Sequence, residues 1–319
     1  MKNNLTMKVQ RIWRAIAYPA ILSLILSTVP AGAAKLASTR ADLVDDSDVQ
    51  ALAEPEATYT TIDYPGANLT VAHDINPAGD IVGRYESADH KGGFLLRNNT
   101  FTAIDYPLAA YTEARGINPA GDIVGVYRNA DGKDHGYLRR DGVFSPIAVP
   151  GAVTNDAWGI SPAGEITGGY TTADNKLHPY VLRDGNFTTL DPPFADIGPV
   201  GSFTHGINSR GEVVGCWWDK NTVMHSLLIS DGNFITTDFP DSMMSMNWRI
   251  NKKGRMVGHY TGMDGKTHGY LLRKRKFTTI EPLGATSSQA HGINPAGDIV
   301  GLYKGADGKT HGFLLSAGQ

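Results

Sequence analysis

One ten-residue motif recurs six times in this chain of 319 residues, at intervals of 42 to 47 residues. It reads DINPAGDIVG at residues 74–83 and GINPAGDIVG at residues 116–125 and 292–301, with three blurred copies between the last two. A repeat of this length, with alternating apolar residues and no helical stripe, is typical of a β-propeller, in which each repeat forms one sheet that buries its faces against its neighbours. The repeat therefore predicts an all-β fold of six blades.

Each repeat carries four short strand signals joined by turn signals. The stretch Asn118-Pro119-Ala120-Gly121 has the residue pattern of a type I turn, and dipeptides such as Asp141-Gly142 mark two-residue hairpins. Neighbouring strands joined by hairpins form an antiparallel meander, so we expect four-stranded antiparallel blades, and a parallel β-solenoid is the weaker alternative. We also expect Gly121 to adopt a positive φ and the adjacent Asp122 to face solvent.

The phase of the repeat predicts how the two chain ends meet. The last repeat ends at residues 311–315 and lacks its fourth strand, whereas residues 59–63 form a spare fourth strand at the other end of the chain. Pairing them closes the propeller through the N-terminal strand and the last blade, and it removes an exposed sheet edge. The propeller is expected to span residues 58–319.

The N-terminus carries a processing signal, because basic residues precede an apolar run that ends at Val29 and small residues follow it. This pattern predicts a secretory signal peptide over residues 1–34, cleaved near Ala33 or Ala34, with a retained membrane anchor as the alternative. Residues 35–57 are acidic with little apolar patterning and are predicted to be a disordered lead-in. We expect a secreted or periplasmic protein with no membrane span in the mature chain.

Charge and cysteine content narrow the function classes. The formal net charge is −3, and we interpret the lysines and arginines as scattered along the chain and not clustered. We therefore expect no nucleic-acid partner. The single cysteine, Cys216, lies in a strand pattern and cannot form an internal disulfide, so we interpret it as a buried, inert thiol.

One column of the repeat changes character between copies and yet stays polar or aromatic. It precedes the Gly-Ile-Asn positions of the innermost strand and comprises His73, Arg115, Trp158, His205, Trp248 and His291. Because inner strands surround the propeller axis, these side chains are predicted to meet at the channel mouth, where they would suit an anionic or carbohydrate ligand. Packing between blades, or solvation, is the alternative interpretation.

Two further columns are interpreted as structural. Five histidines precede the third strands, namely His135, His178, His225, His268 and His311. Equivalent positions on different blades are too far apart to share a metal with bonds of about 2.0 Å, so we predict hydrogen bonds within each hairpin and neither metal nor cofactor. The acids that close the fourth strands, Asp63, Asp105, Asp191, Asp238 and Glu281, are predicted to cap local backbone N–H groups.

The strings HGFLL, FTTI followed by an acid and a proline, and GINPAGDIVG resemble the HAF-repeat family of bacterial extracellular repeat proteins over residues 58–319. The resemblance implies an exported, repeat-built, propeller-like protein and no general activity. The fourth repeat departs most, with Ser226 at a glycine position and Cys216-Trp217-Trp218 in place of the usual tyrosine segment. We expect a localised function to lie where the repeat departs from its own pattern.

We therefore predict a monomeric, non-enzymatic propeller that binds a glycan, an envelope component or a protein through its loop-rich face. The loops that lead into the inner strands vary most, since Asp191 to Asn208 spans 17 residues and Met243, Met244 and Met246 cluster before Trp248. Variable loops on a rigid scaffold are where binding usually lies. The alternative is an enzyme that acts on a polysaccharide or small molecule at the channel mouth, although no recognisable catalytic motif supports it.

Overall fold

The computed structural model describes residues 58–194 and 197–317, which form 24 β-strands and no helix. The predicted signal peptide (1–34) and acidic lead-in (35–57) lie outside the described residues. Within the described ranges, no helix is long and apolar enough to cross a membrane.

The strands form antiparallel units of four, which we number from one to six in chain order. The first strands are β2 (Leu69–Ile75), β6 (Tyr111–Ile117), β10 (Thr154–Ile160), β14 (Ile197–Ile207), β18 (Met244–Ile250) and β22 (Ser287–Ile293). The second strands are β3 (Ile81–Glu86), β7 (Ile123–Arg128), β11 (Ile166–Thr171), β15 (Val213–Asp219), β19 (Met256–Thr261) and β23 (Ile299–Lys304).

The outer strands follow in the same order. The third strands are β4 (Lys91–Arg97), β8 (Asp134–Arg140), β12 (Leu177–Arg183), β16 (Met224–Ser230), β20 (Thr267–Arg273) and β24 (Thr310–Ser316). The fourth strands are β5 (Thr100–Ile104), β9 (Val143–Ile147), β13 (Asn186–Thr189), β17 (Asn233–Thr236), β21 (Lys276–Ile280) and, in the sixth unit, β1 (Thr58–Ile62).

The two ends of the described chain share one sheet. Strand β1 pairs with β24 in antiparallel register, with Tyr59 opposite Leu315 and Ile62 opposite Gly312. The first strands contact one another in chain order, and β22 also contacts β2. The first strands therefore lie next to one another, and we call the line along which they meet the axis.

The antiparallel alternation separates two ends of the molecule. We define the loop end by the connections that lead into each first strand together with the connections between second and third strands. The turn end carries the turns between first and second strands and the hairpins between third and fourth strands. Because every unit repeats this order, all loops of one kind lie at one end.

The turn chemistry predicted from sequence is confirmed, except for one acid. Gly121 has a φ of +87°, and its N–H donates to the Asn118 carbonyl across 3.0 Å. Asp122, however, does not face solvent. Only 8% of it is exposed, and its carboxylate accepts two hydrogen bonds of 3.0 Å from Arg140. The prediction was wrong because Arg140 lies 18 residues further along the chain and reaches the turn only through the hairpin.

An invariant glycine of the second strand makes room for the core aromatic residue of the third strand. Tyr137 is fully buried, and its hydroxyl donates to the Glu113 carbonyl across 2.9 Å. A Cβ at Gly125 would lie 1.9 Å from that carbonyl oxygen and 2.8 Å from the tyrosine hydroxyl. Close packing thus explains why this position is glycine in every unit.

The aromatic column that follows these glycines packs against the loop end. Tyr85 stacks on Tyr64 and Tyr127 on Tyr106, each pair with ring centroids 3.6 Å apart. These rings therefore cover the junctions between successive units instead of forming an open platform.

Candidate functional site

Each first strand contains a β-bulge, and the bulged residue belongs to the column singled out from the sequence. In the second unit, Ala114 pairs with Gly125 and Gly116 with Val124, which leaves Arg115 without a ladder partner. The residues at this position, which we name the axial ring, are His73, Arg115, Trp158, His205, Trp248 and His291. A bulge turns one side chain and one carbonyl away from the ladder, and here both turn towards the axis.

The axial ring forms one contiguous cluster. The Trp158 and Trp248 rings lie 4.9 Å apart, and Trp248 lies 4.4 Å from both His205 and His291. His73 lies 5.3 Å from His291, and the Arg115 guanidinium lies 3.8 Å above the Trp158 ring. The structure thus brings together all six predicted residues.

The axial ring lies deeper than the sequence suggested. Its members are between 2% and 7% exposed, and they lie two residues before the ends of their strands instead of at the starts. The mouth is lined instead by the half-buried first residues of the strands, such as Tyr111 and Met244. Ligand binding by the axial ring stays a prediction.

On one side of the axis, the layer of residues next to the axial ring on its loop-end side is charged. Arg84 contacts Glu113 at 3.2 Å, and Arg115 contacts both Glu113 and Asp156 at 2.6 Å. Tyr111 donates its hydroxyl proton to Glu113 from the mouth. These contacts link the first three units into a chain of alternating charges, which offsets the cost of burying them.

The opposite side of that layer is apolar. Phe203 and Met246 occupy the equivalent positions of the fourth and fifth units, and they are 5% and 3% exposed. A Cβ on Gly169 would lie 2.1 Å from the Phe203 ring, so this glycine leaves space for the ring. Strand β14 of the fourth unit thus places an aromatic ring in this layer.

On the turn-end side of the axial ring, one arginine fills the space around the axis. Four units have glycine at this position, but the first unit has Asp74 and the fifth has Arg249. The Arg249 Nε lies 3.2 Å from an Asp74 carboxylate oxygen, and its Nη2 donates to the carbonyls of Arg115 and Trp158 at 2.5 and 2.7 Å. Nη1 donates to the carbonyl of His205 at 2.5 Å. Arg249 therefore donates hydrogen bonds to the bulge carbonyls of three units and fills the space at the axis.

Burial sets the protonation of the axial ring. It lowers the pKa of His73, His205 and His291 well below the ordinary value, and neighbouring arginines, Arg249 among them, lower it further. Burial also lowers the pKa of His259 to about 4, and its Nδ1 accepts a hydrogen bond from the Trp248 indole. These imidazoles are neutral at pH 7.

His73 is the least satisfied of them. Neither of its ring nitrogens has a hydrogen-bond partner among the described residues. An unpaired buried polar group costs free energy, so an apolar ring of similar shape would be tolerated there.

The acid sensitivity of folding follows from these histidines. The unfolded chain binds protons below pH 6.5, whereas the folded ring binds them only at much lower pH, so stability falls as pH drops below 6.5. Burial raises the pKa of Asp156 to about 6, and the pKa of His225 and of His311 is also raised, by their carboxylate partners against the effect of burial. Asp156 opposes the fall in part below about pH 6, since the folded state takes up its proton more readily than the unfolded chain does. The raised pKa values of His225 and His311 stabilise the folded state at pH 6.5 and below, and this contribution is lost as pH rises above 6.5.

We expect His73→Phe to reduce this acid sensitivity. Removing one histidine with a strongly lowered pKa should flatten the loss of unfolding free energy between pH 6.5 and 5 by about 1.4 kcal/mol per pH unit. Urea unfolding at several pH values measures this slope. Stability at pH 7.5 should not fall, because no hydrogen bond is lost, and an unchanged slope would contradict the assignment of a neutral buried imidazole.

The outer histidines form local pairs, as predicted. His178, His225 and His311 contact the fourth-strand acids, whereas His135 contacts Asp131 in the loop before its own strand, at 3.4 Å. His311 Nδ1 lies 2.8 Å from Asp63, His225 Nδ1 lies 2.7 Å from Asp238, and each imidazole stacks on the aromatic residue of the second strand. The proposed capping of backbone N–H groups appears at Asp238, which accepts the Ser226 N–H at 2.7 Å. No group of three potential metal ligands occurs among the described residues.

The loop end exposes a set of large aliphatic side chains. Leu108 and Leu283 are fully exposed, and Val153, Met243 and Met263 are 40%, 56% and 79% exposed. Leu108 has a φ of +62° in a column where three other units have glycine. Sequence reasoning missed these tips, although comparing the loops column by column would have found Leu108.

A separate cleft of about 400 Å³ opens at the turn end between the third and fourth units. Its floor is apolar, with Val181, Leu190 and Ile229, and Arg183 and Asp231 stand at its rim.

Comparisons with known proteins identify the class of fold. The chain is similar to the Aleuria aurantia lectin in complex with Fucα1-6GlcNAc, with a TM-score of 0.52, 11% identity and coverage of 78% of this chain and 92% of the lectin. A putative TolB from Agrobacterium tumefaciens matches with a TM-score of 0.52, 15% identity and coverage of 77% and 90%. TolB from Acinetobacter baumannii matches with a TM-score of 0.51 and 10% identity, over 77% of this chain and 63% of TolB.

At such low identity these likenesses show the fold alone, which is that of the β-propellers. No protein-family model matches the sequence, and no curated protein is significantly similar to it.

Proposed function

We propose that this protein is an exported, non-enzymatic β-propeller of six blades, closed into a ring, that binds an envelope macromolecule through its loop end. Six motif copies, the contact between β22 and β2, and the pairing of β1 with β24 support six blades and closure. The predicted signal peptide over residues 1–34 supports export to a periplasmic or extracellular location. The likeness to HAF repeats is consistent with both.

The exposed aliphatic tips of the loop end carry this proposal. Five large apolar side chains on separate loops, two of them fully exposed, mark an interaction surface. Leu108 also keeps an unfavourable backbone conformation that a glycine would adopt without strain, and such strain is retained mainly where function requires it.

Among a glycan, an envelope component and a protein, these tips favour a protein. Sugars bind through the faces of exposed aromatic rings, whereas Tyr64, Tyr106 and Phe239 of these loops are stacked on rings of the second strands. Aliphatic side chains instead fit the apolar core of a protein interface. The lectin and TolB are similar to this chain in fold alone.

The enzymatic alternative rests on Asp156. Its pKa is raised to about 6 by burial, which is suitable for proton transfer near neutral pH. Its carboxylate, however, is 1% exposed and accepts hydrogen bonds from Arg115 and Trp158. Binding therefore explains the site better than catalysis.

The proposal is tested by replacing exposed apolar side chains of the loop end with the residues that other units have at the same positions. Full-length protein is screened against arrays of envelope proteins and glycans, and the affinity for each hit is measured for wild type and for Leu108→Gly with Leu283→Pro. These changes give both loops the residues found in other units, so folding should be unaffected. We expect the affinity to fall at least about tenfold, because central apolar anchors dominate interface energies.

The matched control is Val143→Ser with Ile235→Ser. These residues are 67% and 43% exposed and lie on fourth strands away from the loop end. Their affinity should equal that of wild type. Equal losses in both variants, or no retained ligand on either array, would refute binding through the loop end.

A further inference from the structure

The turn end of the fifth unit collects an unusual concentration of positive charge. Its first turn contains Lys252, Lys253 and Arg255, and its hairpin between β20 and β21 consists of residues 273–276, with the sequence RKRK. Neither turn contains an acid. Lys252, Lys253 and residues 273–276 are exposed, and Arg255 is half-buried. The expectation that basic residues are scattered is therefore wrong for this unit.

Comparison with the other units shows that the fifth unit has an arginine, Arg255, where the others have an acid. In the first three units, an arginine at the end of the third strand pairs with the acid that follows the first turn: Arg97 with Asp80, Arg140 with Asp122, and Arg183 with Glu165. In the fifth unit both positions are arginine, namely Arg255 and Arg273. The exchange replaces the acid by a second arginine and so places two like charges in the same sheet column.

The hairpin of the fifth unit is also strained. Lys274 and Arg275 have φ values of +47° and +63°. The same positions hold Asn-Asn in the first unit and Asp-Gly in units two to four, which are the residues that this type of hairpin favours. Two long basic residues in left-handed conformation are therefore kept against the local preference of the backbone, as is seen at functional sites.

We propose that these two turns, Lys252–Arg255 and Arg273–Lys276, form a binding site for a linear acidic polysaccharide, with carboxylate groups as the recognised chemistry. The two turns are separated by two strand spacings, about 10 Å. The two turns thus place their basic residues along a line that runs outwards from the axis. A row of this kind matches regularly spaced charges on an extended chain, through ion pairs and charge-assisted hydrogen bonds.

A flat anionic membrane fits the observations less well. The hairpins of units two to four carry exposed acids at the same end of the molecule, Asp141, Asp184 and Asp231. A membrane would approach all of these hairpins together with the basic one, whereas a narrow polymer can lie along the fifth unit alone. No large apolar side chain is exposed on the two basic turns within the described residues, so there is no anchor for insertion.

Nucleic acid is also disfavoured. Single strands bind through aromatic side chains on which the bases stack, and the nearest ring, Phe277, is half-buried against the core of the fifth unit. The site lies at the opposite end from the aliphatic tips, so it is independent of the proposed protein partner.

The test measures retention of the full chain by immobilised polygalacturonate, with neutral dextran as the uncharged comparison. Wild type should bind polygalacturonate but not dextran, and added salt should weaken binding because exposed charges are screened. The variant Lys274→Asn with Arg275→Gly restores a sibling turn sequence, and its affinity should fall at least about tenfold. Its melting temperature should rise, because the strained residues are removed, and this rise excludes misfolding as the cause.

The control is Lys133→Asn with Lys309→Asn, which removes the same charge from exposed positions at the loop end. It should leave polygalacturonate binding unchanged. The proposal is overturned if the control weakens binding as much as the hairpin variant. It is also overturned if neither variant weakens binding, or if phosphatidylglycerol vesicles or single-stranded DNA bind the hairpin site more tightly than polygalacturonate does.

Discussion

Replacing Arg249 by glycine is expected to lower the free energy of unfolding by roughly 3–5 kcal/mol, the usual effect of removing one partner from a buried ion pair. Four other units have glycine at this position, so the backbone tolerates the change. What is lost is the contact with Asp74 and the hydrogen bonds to the carbonyls of Arg115, Trp158 and His205. Urea unfolding at pH 7.5 measures the effect.

A double-mutant cycle with Asp74→Gly separates the ion pair from the carbonyl contacts. If the penalty arises mainly from an unpaired buried carboxylate, the double variant should be more stable than Arg249→Gly alone. Arg249→Lys should rescue little, because an ammonium group cannot span several carbonyls as a planar guanidinium does. A loss below about 1 kcal/mol for Arg249→Gly would contradict the view that this side chain holds the units together.

Deleting residues 58–64 is expected to destabilise the protein by about 4 kcal/mol or more and to expose the edge of β24 to aggregation. The deletion removes all of β1, the buried Ile62 side chain and the Asp63 partner of His311. It also removes Tyr64, whose ring stacks on Tyr85 in the first unit. Loss of one strand should therefore affect both units that meet at the chain ends.

The point variant Ile62→Asp tests the same junction without shortening the chain. It keeps the backbone pairing of β1 but places a charge where only 5% of the side chain is exposed. Both variants should unfold at lower urea concentration, and the deletion should also broaden the transition. Cooperative unfolding identical to that of wild type after the deletion would refute closure through β1.

Local sequence determined the strands and turns of this protein. The positive φ of Gly121 and the hairpins at Asp141-Gly142, Asp184-Gly185 and Asp231-Gly232 depend on residues that are adjacent in the chain, so their preferences are visible in sequence. The repeat also placed the six residues of the axial ring in one column, because equivalent positions in a repeated unit occupy equivalent places in the fold.

Only the tertiary structure decided how those columns are used. The sequence does not show that the axial ring is packed shut, since burial depends on side chains that six distant segments bring to one axis. Asp122 was misassigned for the same reason, because its partner Arg140 belongs to another strand. Arg249 and Asp74 stood out in their glycine column, yet only the ring geometry brings together two residues 175 positions apart in sequence. Likewise, RKRK at 273–276 becomes a candidate site only because the fold places Lys252, Lys253 and Arg255 beside it. Contacts between residues far apart in sequence depend on how the units assemble, which no single repeat encodes.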